Sequence, residues 1–241
     1  MIDPKDPDQI TTHKLQITNP PAVVLLSGGL DSSTCLLIAL EEGFDVHALS
    51  FDYGQRHRVE LDAARAVAER YGVRAHRIVA VDLPGAASSA LTDASLAVPK
   101  NSLGRDAIPV TYVPARNALF LAHAISWAES IDAADVYIGA NALDYSGYPD
   151  CRPEFLEAFE RMANLGTRAG VEGRLAFRIR APLLRMTKAQ IVAEGSRLGL
   201  DFRLTSSCYD PAPDGRSCGA CDSCLLRIKG FREAGLNDPG V

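Results

Sequence analysis

The chain has 241 residues, of which 47% are hydrophobic and 23% are charged, a mixture that excludes a disordered or fibrous protein. Its formal net charge is −5. A protein that grips nucleic acid by the phosphates usually carries a basic excess, so we expect a small-molecule substrate and no nucleic-acid partner.

The first 19 residues are polar, contain Pro4 and Pro7, and lack an apolar core segment. We therefore expect a mobile tail there and not a signal peptide. No run of residues approaches the ~20 apolar positions that cross a bilayer, so no membrane partner is expected. These features predict a cytoplasmic protein, whose six cysteines are interpreted as metal ligands, catalytic thiols or core residues before disulfides.

Short apolar runs and helical patterns alternate along the chain. Four segments are predicted as strands: 22–26, 46–51, 76–83 and 135–139. Five segments are predicted as helices: 31–42, 58–71, 117–130, 153–169 and 187–198. The helix at 117–130 is so uniformly apolar that we expect it to be buried. Residues 84–114 lack periodicity and predict a long loop that is functional or partly mobile.

This alternation is typical of a doubly wound parallel sheet, an α/β fold with helices on both faces. We divide the chain into the tail at 1–19, a nucleotide-binding α/β domain at 20–200, and a C-terminal metal-binding helical segment at 201–241 packed on that domain. Ligands bind such sheets beyond the carboxyl ends of the strands, where the strand order reverses. The sequence leaves the oligomeric state open, with a homodimer as one candidate.

A glycine-rich loop, Ser27-Gly28-Gly29-Leu30-Asp31-Ser32-Ser33, joins the first predicted strand to the first predicted helix. Adjacent glycines let the backbone adopt positive φ and approach a ligand closely. Successive amides at a helix start form an anion site suited to a pyrophosphate. The loop lacks the lysine and spacing of a Walker motif. Asp31 is interpreted as either a helix cap or a ligand of Mg²⁺, and a glycine turn without ligand is the simpler alternative for the whole loop.

Four cysteines lie within 17 positions near the C-terminus: Cys208, Cys218, Cys221 and Cys224. Two-residue spacers let neighbouring sulfurs converge, and four thiolates favour a closed tetrahedral Zn²⁺ site. An iron–sulfur cluster is the competing metal assignment, and core cysteines or a reactive thiol pair for sulfur transfer are further alternatives. Cys35 is predicted to be a core residue, and Cys151 to have a supporting role.

The loop at residues 27–32 resembles the PP-loop of the adenine-nucleotide α-hydrolase-like ATP pyrophosphatases, which are Rossmann-like enzymes. Further segments resemble the 7-cyano-7-deazaguanine synthases of queuosine biosynthesis: 51–57, 112–117, 144–152, 208–209, 218–224 and 230–231. The similarity runs from about residue 22 to residue 238. It implies that 7-carboxy-7-deazaguanine and ammonia become the 7-cyano base, with ATP adenylating first the carboxylate and then the amide.

The resemblance also implies roles for individual residues. ATP, with Mg²⁺, would bind to the loop residues Leu26, Ser27, Gly28, Gly29, Leu30, Asp31, Ser32 and Ser33. Asp31, Lys188 and Arg116 are the candidate catalytic residues, although a solvated Lys188 fits the sequence equally well. Substrate contacts are expected from Phe51, Gln55, Arg56, Asn117, Asp144, Tyr145, Tyr148, Asp150 and Arg152.

The chemistry of the base favours this set, because carboxylates match the N–H donors of a guanine-like edge and arginine matches its carbonyl. Aromatic residues among them could stack on the flat ring or simply pack, and Asn117 could instead cap its helix. Two other classes of function stay open. One is a PP-loop tRNA thiolation enzyme with iron or persulfide, and the other is a non-catalytic nucleotide-binding zinc module.

Overall fold

The computed structural model describes residues 19–83, 88–101, 108–143 and 148–240. The predicted tail, apart from Asn19, lies outside these residues, and so do the substrate contacts predicted for Asp144 and Tyr145. In the described part of the chain, no helix is both long and apolar enough to cross a membrane.

Five parallel strands form one sheet in the described residues: β1 (Pro21–Leu25), β2 (Asp45–Asp52), β3 (Ala75–Ala80), β4 (Asp135–Tyr137) and β5 (Arg178–Arg180). Their order is β3-β2-β1-β4-β5, so the direction of winding reverses between β1 and β4. The edge strand β5 is not among the predicted strands, because its sequence Arg-Ile-Arg has no apolar run.

The helices of the described residues are α1 (Leu30–Glu41), α2 (Val59–Arg70), α3 (Arg116–Ser130), α4 (Pro153–Gly166), α5 (Arg168–Val171), α6 (Lys188–Arg197) and α7 (Asp222–Glu233). Short 3-10 turns lie at Pro149–Cys151 and Phe202–Leu204. The helix predicted at 153–169 is interrupted at Thr167, whose side chain caps α5 by accepting the Gly170 N–H. The predicted boundary at residue 200 stays a prediction, although α6 and α7 pack together across it.

Side chains of β1 alternate between two apolar clusters, one on each face of the sheet. Val23 and Leu25 pack in a cluster with Leu121 of α3, whereas Val24 packs in a cluster with Leu36 of α1. A strand that is covered on both faces reads as a continuous apolar run, which is why β1 is recognisable in the sequence. The prediction of a doubly wound α/β fold is confirmed.

The expectation that the helix at 117–130 is buried holds for one face only. In α3 one face is buried, with Leu121, Ala124 and Ala128 fully covered, while Leu119 on the outer side is 39% exposed. Alanines occur on both faces of this helix, and alanine carries little information about burial.

Candidate active site

A pocket opens at the carboxyl ends of β1, β2 and β4, where the strand order reverses. The loop after β1 forms one wall with Ser27, Gly29 and Asp31. The start of α3 contributes Arg116, and the start of α6 contributes Lys188. Parallel α/β sheets bind ligands at this location, so the fold places the predicted phosphate loop where a ligand site is expected.

Gly28 determines how closely the loop packs on α2. Its φ is +84°, and a Cβ at this position would lie 2.3 Å from the Glu60 carbonyl oxygen and 2.5 Å from the Ala64 nitrogen. Only glycine meets both demands. The glycine therefore makes room for the helix behind the loop, and its predicted approach to a ligand stays a prediction.

Serine side chains hold the turn of the loop. The Ser32 Oγ accepts the Ser27 N–H at 3.1 Å and donates to the Gly29 carbonyl at 3.2 Å. Leu26, Leu30 and these residues line the pocket, whereas Gly28 and Ser33 do not. Ser33 is fully buried, and its Oγ has no hydrogen-bond partner among the described residues. ATP contact by any of these residues stays a prediction.

Asp31 and Lys188 form an ion pair in the pocket wall. The Lys188 Nζ lies 2.7 Å from one carboxylate oxygen of Asp31 and 2.8 Å from the other. The side chain of Lys188 is only 7% exposed, so the solvated alternative is wrong. Capping of α1 by Asp31 is also wrong, because Gly29 is the N-cap and no side chain caps it. Gly230 of α7 leaves room for the lysine, since a Cβ there would lie 2.4 Å from the Lys188 Cγ.

Arg116 is the first residue of α3 and donates to the Tyr53 hydroxyl at 3.3 Å. An arginine side chain stays ionised in proteins. Burial raises the pKa of Tyr53 to about 12, so this phenol stays neutral near pH 7. Arg116 therefore gives the lining of the pocket a positive charge that suits an anionic ligand, whereas Lys188 is paired with Asp31 and Arg227 with Asp238.

The Asp150 carboxylate binds the start of α3. Its Oδ2 accepts the backbone N–H of Asn117 at 3.0 Å, and the Asn117 side chain donates back to the Asp150 carbonyl at 3.1 Å. Capping by Asn117 itself is therefore wrong, because the N-cap residue is Ala115. Asn117 lines the pocket, but Asp150 and the exposed Arg152 do not. A substrate contact by these residues stays a prediction.

Gln55 and Arg56 serve the local structure. The Gln55 side chain is buried, accepts the Tyr53 N–H at 2.8 Å and donates to the Phe51 carbonyl at 2.9 Å. Arg56 donates to the Leu96 carbonyl at 2.9 Å. Neither residue lines the pocket, so their predicted substrate contacts remain untested predictions.

Two of the predicted aromatic residues do line the pocket. The ring of Phe51 stacks on Phe120 with centroids 3.9 Å apart, and the Tyr148 hydroxyl lies 2.8 Å from the Thr111 Oγ1. Both are largely buried, so packing accounts for much of their surface. Their edges nevertheless give the pocket a flat apolar wall beside the polar loop.

Several pocket residues are not among the predicted site residues: Tyr53, His57, Glu60, Ser207, Tyr209 and Arg227. His57 and Glu60 form a pair, with Nε2 and Oε2 3.1 Å apart. Their spacing of three residues at a helix start was a usable signal, since such residues are neighbours on a helix. Tyr209 lies in one of the segments that resemble the family, whereas nothing in the local sequence of Ser207 or Arg227 indicates the pocket, because these two residues reach it only through the fold.

The four clustered cysteines converge, as predicted. Their sulfurs all lie within 4.8 Å of one another, while sulfurs around a tetrahedral zinc with bonds of about 2.3 Å stand about 3.8 Å apart. Backbone N–H groups donate to these sulfurs: those of Cys218 and Asp210 to Cys208 at 3.2 and 3.4 Å, and that of Cys221 to Cys218 at 3.3 Å. The arrangement fits one four-thiolate metal ion.

The other two cysteines are separate from this cluster. Cys35 lies within α1 and is fully buried in the core, which confirms its prediction as a core residue. Cys151 lines the pocket, and burial raises its pKa to about 11. The reactive thiolate form is therefore scarce at neutral pH, in agreement with a supporting role.

Comparisons with known proteins agree with this geometry. Residues 21–235 match the family model described as Queuosine biosynthesis protein QueC. A protein of Geobacter sulfurreducens named 7-cyano-7-deazaguanine synthase is 62% identical over 218 residues, which cover 90% of this chain and 91% of that protein. A protein of the same name from Geotalea daltonii is 61% identical over 218 residues, 90% of this chain and 94% of its own length.

A solved structure extends the likeness of the fold. The NMN synthetase of Francisella tularensis superimposes with a TM-score of 0.50 at 20% identity, covering 91% of this chain and 79% of its own. At this level of identity the likeness concerns the fold alone. The relatives of high identity, which span nearly the whole chain, carry the information about function.

Proposed function

The chain belongs to the QueC family of queuosine biosynthesis proteins, and from this premise we propose that it converts 7-carboxy-7-deazaguanine and ammonia into 7-cyano-7-deazaguanine with ATP as the activating co-substrate. Relatives about 60% identical bear the name of this synthase. One structural observation carries the proposal. The glycine-rich loop, Lys188 and Arg116 line a single pocket at the reversal point of the sheet, although they are far apart in sequence.

The reaction needs activation because a carboxylate would have to expel oxide. In the first step a carboxylate oxygen attacks the α-phosphate of ATP, and the bond to pyrophosphate breaks. Ammonia then attacks the acyl-adenylate, AMP leaves with the electrons of its C–O bond, and one proton is lost to give the amide. A second adenylation on the amide oxygen allows AMP to leave, and the nitrogen loses both protons to give the nitrile.

Charges in the pocket suit the phosphate chemistry. The start of α1 presents its backbone amides and the positive end of its helix dipole to the loop, a common anion site. Lys188 and Arg116 supply positive charge that would stabilise the negative charge developing on the transferred phosphate. We place Mg²⁺ beside Asp31, where it would offset the charge of the phosphate oxygens.

The His57–Glu60 pair provides a group that can accept protons. Both residues line the pocket, and their ring nitrogen and carboxylate oxygen are 3.1 Å apart. Amide formation and nitrile formation both release protons, and a histidine next to a carboxylate is the usual acceptor of such protons near neutral pH. We assign this role to His57, and the orientation of its ring to Glu60.

We propose that Phe51 and Tyr148 contact the flat deazaguanine ring, since both line the pocket. Tyr145 is a further candidate to stack on the ring. We propose that polar residues of the segment at 144–152 bind the hydrogen-bonding edge of the base. The polar residues are Asp144, Asp150 and Arg152. Their assignment rests on the chemistry of a guanine-like edge.

We propose zinc as the ion of the cysteine cluster, because a closed set of four thiolates is its usual structural site. A tRNA thiolation enzyme would instead need a free thiol or an iron–sulfur cluster. Convergence of all four sulfurs leaves none of them as a free nucleophile, which favours the synthase. Reduced thiols are also what such a site requires, so we propose that the protein acts in the cytoplasm.

The proposal is tested by incubating the metal-replete protein with 7-carboxy-7-deazaguanine, ammonium and MgATP. We expect mass spectrometry to detect the cyano base, with AMP and not ADP as the nucleotide product. A reaction without ammonium should stop at the adenylate and yield no cyano base. Nucleotide binding without any AMP formation would favour the non-catalytic module, and iron with visible absorbance would favour the thiolation enzyme.

A further inference from the structure

Residues 206–210, here called the strap, connect the cysteine cluster directly to the phosphate loop. The Ser206 N–H donates to the Gly28 carbonyl at 2.9 Å. The Ser207 Oγ accepts the Leu30 N–H at 3.2 Å. Leu30 is the first residue of α1, so the second bond fixes an amide at the helix start that forms the anion site.

The next residue of the strap belongs to the cluster. The Cys208 Sγ accepts the backbone N–H of Cys218 at 3.2 Å and that of Asp210 at 3.4 Å. Only one peptide bond therefore separates Ser207, which holds the loop, from a candidate metal ligand. Fixing Cys208 in the cluster therefore restricts the backbone that carries the Ser207 hydroxyl.

The far end of the strap is held as well. Tyr209 lines the pocket, with its ring centroid 6.1 Å from that of His57. The Asp210 carboxylate pairs with Lys100 at 2.9 Å and with Arg56 at 3.3 Å. The strap thus lies between the pocket on one side and the cysteine cluster on the other, with contacts to both.

We propose that Ser207 is a positioning residue through which occupancy of the cysteine cluster by its metal ion sets the affinity of the phosphate loop for ATP. The inference rests on the proposed function in one respect, that ATP is the ligand of the loop. Because the Ser207 hydroxyl accepts from Leu30, its own O–H is left to donate into the pocket that Ser207 lines. It can therefore orient a loop amide and contact a phosphate oxygen at once.

The physical reason for the coupling is the small core of this region. The cysteines pack in a small cluster whose other buried members are Ala90 and Val98, with the partly buried Leu96 and Tyr209 against it. So little apolar surface cannot order a segment by itself, and binding of a metal supplies the missing free energy. Without the ion the strap loosens, and the Leu30 amide loses the partner that fixes its direction.

Coupling between two binding sites is reciprocal. If the metal strengthens nucleotide binding by some factor, the nucleotide must strengthen metal binding by the same factor. We expect a factor of about ten, within the usual range of such couplings. If the metal only stabilised the C-terminal segment, it would not change the affinity of the folded protein for the nucleotide, and the nucleotide would not change its affinity for the metal.

The test measures binding of the magnesium complex of a non-hydrolysable ATP analogue by calorimetry, on zinc-replete protein and on protein stripped with a chelator. We expect the stripped protein to bind about tenfold more weakly. Ser207→Ala should weaken binding to the zinc-replete protein and should abolish the difference between the two forms. Ser207→Thr, which keeps the hydroxyl, should restore both the affinity and the difference.

Ser217→Ala is the matched control. Ser217 also precedes a cysteine of the cluster, yet it does not line the pocket, so this variant should behave as the wild type. Circular dichroism shows whether the stripped chain stays folded. If it unfolds, competition with a chromophoric chelator gives the zinc affinity with and without the nucleotide analogue for the wild type and for Ser207→Ala. Folding linkage raises the zinc affinity of both proteins alike, so a smaller effect of the nucleotide in the variant is the result that supports coupling through Ser207.

The outcomes separate the two proposals. Failure of the zinc-replete wild type to bind the nucleotide would overturn the proposed function. Equal nucleotide affinity of the replete and stripped wild type, or equal zinc affinity with and without nucleotide, would overturn the coupling alone. A Ser207→Ala protein that keeps the full metal dependence would remove Ser207 from the connection.

Discussion

The Lys188 ammonium group lies 2.7 Å from one carboxylate oxygen of Asp31 and 2.8 Å from the other, although 157 positions separate the two residues in the chain. The pair links the first turn of α1 to the first turn of α6 in the wall of the pocket. A lysine held in this way is already beside the loop when the phosphates of a nucleotide arrive, so little side-chain entropy has to be lost on binding.

We expect Lys188→Met to lower turnover at least 100-fold, because a positive charge aimed at the transferred phosphate is lost. The substitution also leaves Asp31 without its partner and so lowers stability. The double variant Asp31→Asn/Lys188→Met should recover the free energy of unfolding but not the turnover. Lys229→Met is the control, since Lys229 lies on α7 with its side chain 52% exposed. Normal turnover of the single Lys188 variant would remove this residue from catalysis.

Gly28→Ala is expected to destabilise the protein far more than Gly43→Ala. Both glycines have φ of +84°, so both substitutions carry the left-handed strain of roughly 1–2 kcal/mol. The Gly28 methyl group would collide with α2, at 2.3 Å from the Glu60 oxygen, while a methyl group on Gly43 would meet no atom of the described residues within 4 Å. Urea unfolding of the two variants measures the difference. Equal losses of stability would mean that α2 does not pack on the loop as described.

Substitutions of Asp150 separate a structural role from recognition of substrate. Asp150→Ala removes the acceptor for the Asn117 N–H and should cost about 1 kcal/mol of stability, as loss of a helix cap does. Asp150→Asn keeps an acceptor oxygen and should retain most of that stability. If the Asn variant is stable yet has a greatly raised KM for the deazaguanine, the carboxylate reads the substrate. An unchanged KM assigns Asp150 to the start of α3 alone.

Asp135 should make stability depend on pH. Its side chain is 3% exposed, and burial alone would raise its pKa, but hydrogen bonds from Arg178 and Arg180 lower the pKa below the usual value for aspartate. A carboxyl with a depressed pKa in the folded state stabilises above its unfolded pKa and loses this contribution as the pH falls through the folded value.

We therefore expect Asp135→Asn to lower the free energy of unfolding by about 2 kcal/mol at pH 7. This loss is smaller than the loss expected on breaking a fully buried ion pair, because both arginines are partly exposed. The difference in free energy of unfolding between the wild type and Asp135→Asn should decrease below about pH 4, because the wild-type carboxyl then takes up its proton. The exposed pair of Asp62 and Arg65 offers a control, since Asp62→Asn should change stability little at any pH. If this difference in free energy of unfolding stayed constant with pH, the negative charge assigned to Asp135 would be contradicted.

The local sequence was sufficient to predict a feature when all residues that define the feature lie in one short segment. The run before Ser27 is apolar because β1 is covered on both faces, and the turn that follows it is rich in glycine, so strand and loop could be predicted together. The four cysteines could be grouped because their spacing is short and their chemistry is shared. Edge strand β5 could not be predicted, because it is a single isoleucine between two arginines. Only its pairing with β4 distinguishes these three residues from a loop.

The site residues divide in the same way. Sequence could name Lys188 and Asp31 as candidates, but only the fold shows that they are paired and that Asp31 is not a cap. The explanation for Gly28 was incomplete for a similar reason, because α2 approaches the loop from another part of the chain. Ser207 gave no signal at all, since a serine becomes informative only through its partner.

The sequence by itself determined the strand–helix alternation, the glycine-rich loop and the cysteine set, because each is encoded by neighbouring residues whose backbone preferences and ligand chemistry act over a few positions. The tertiary structure alone decided which side chains meet in the pocket, and it brought the cysteine segment against the loop. Hydrogen bonds and ion pairs form between residues that are close in space, and the pairing of the strands into a sheet brings together residues that lie far apart along the chain.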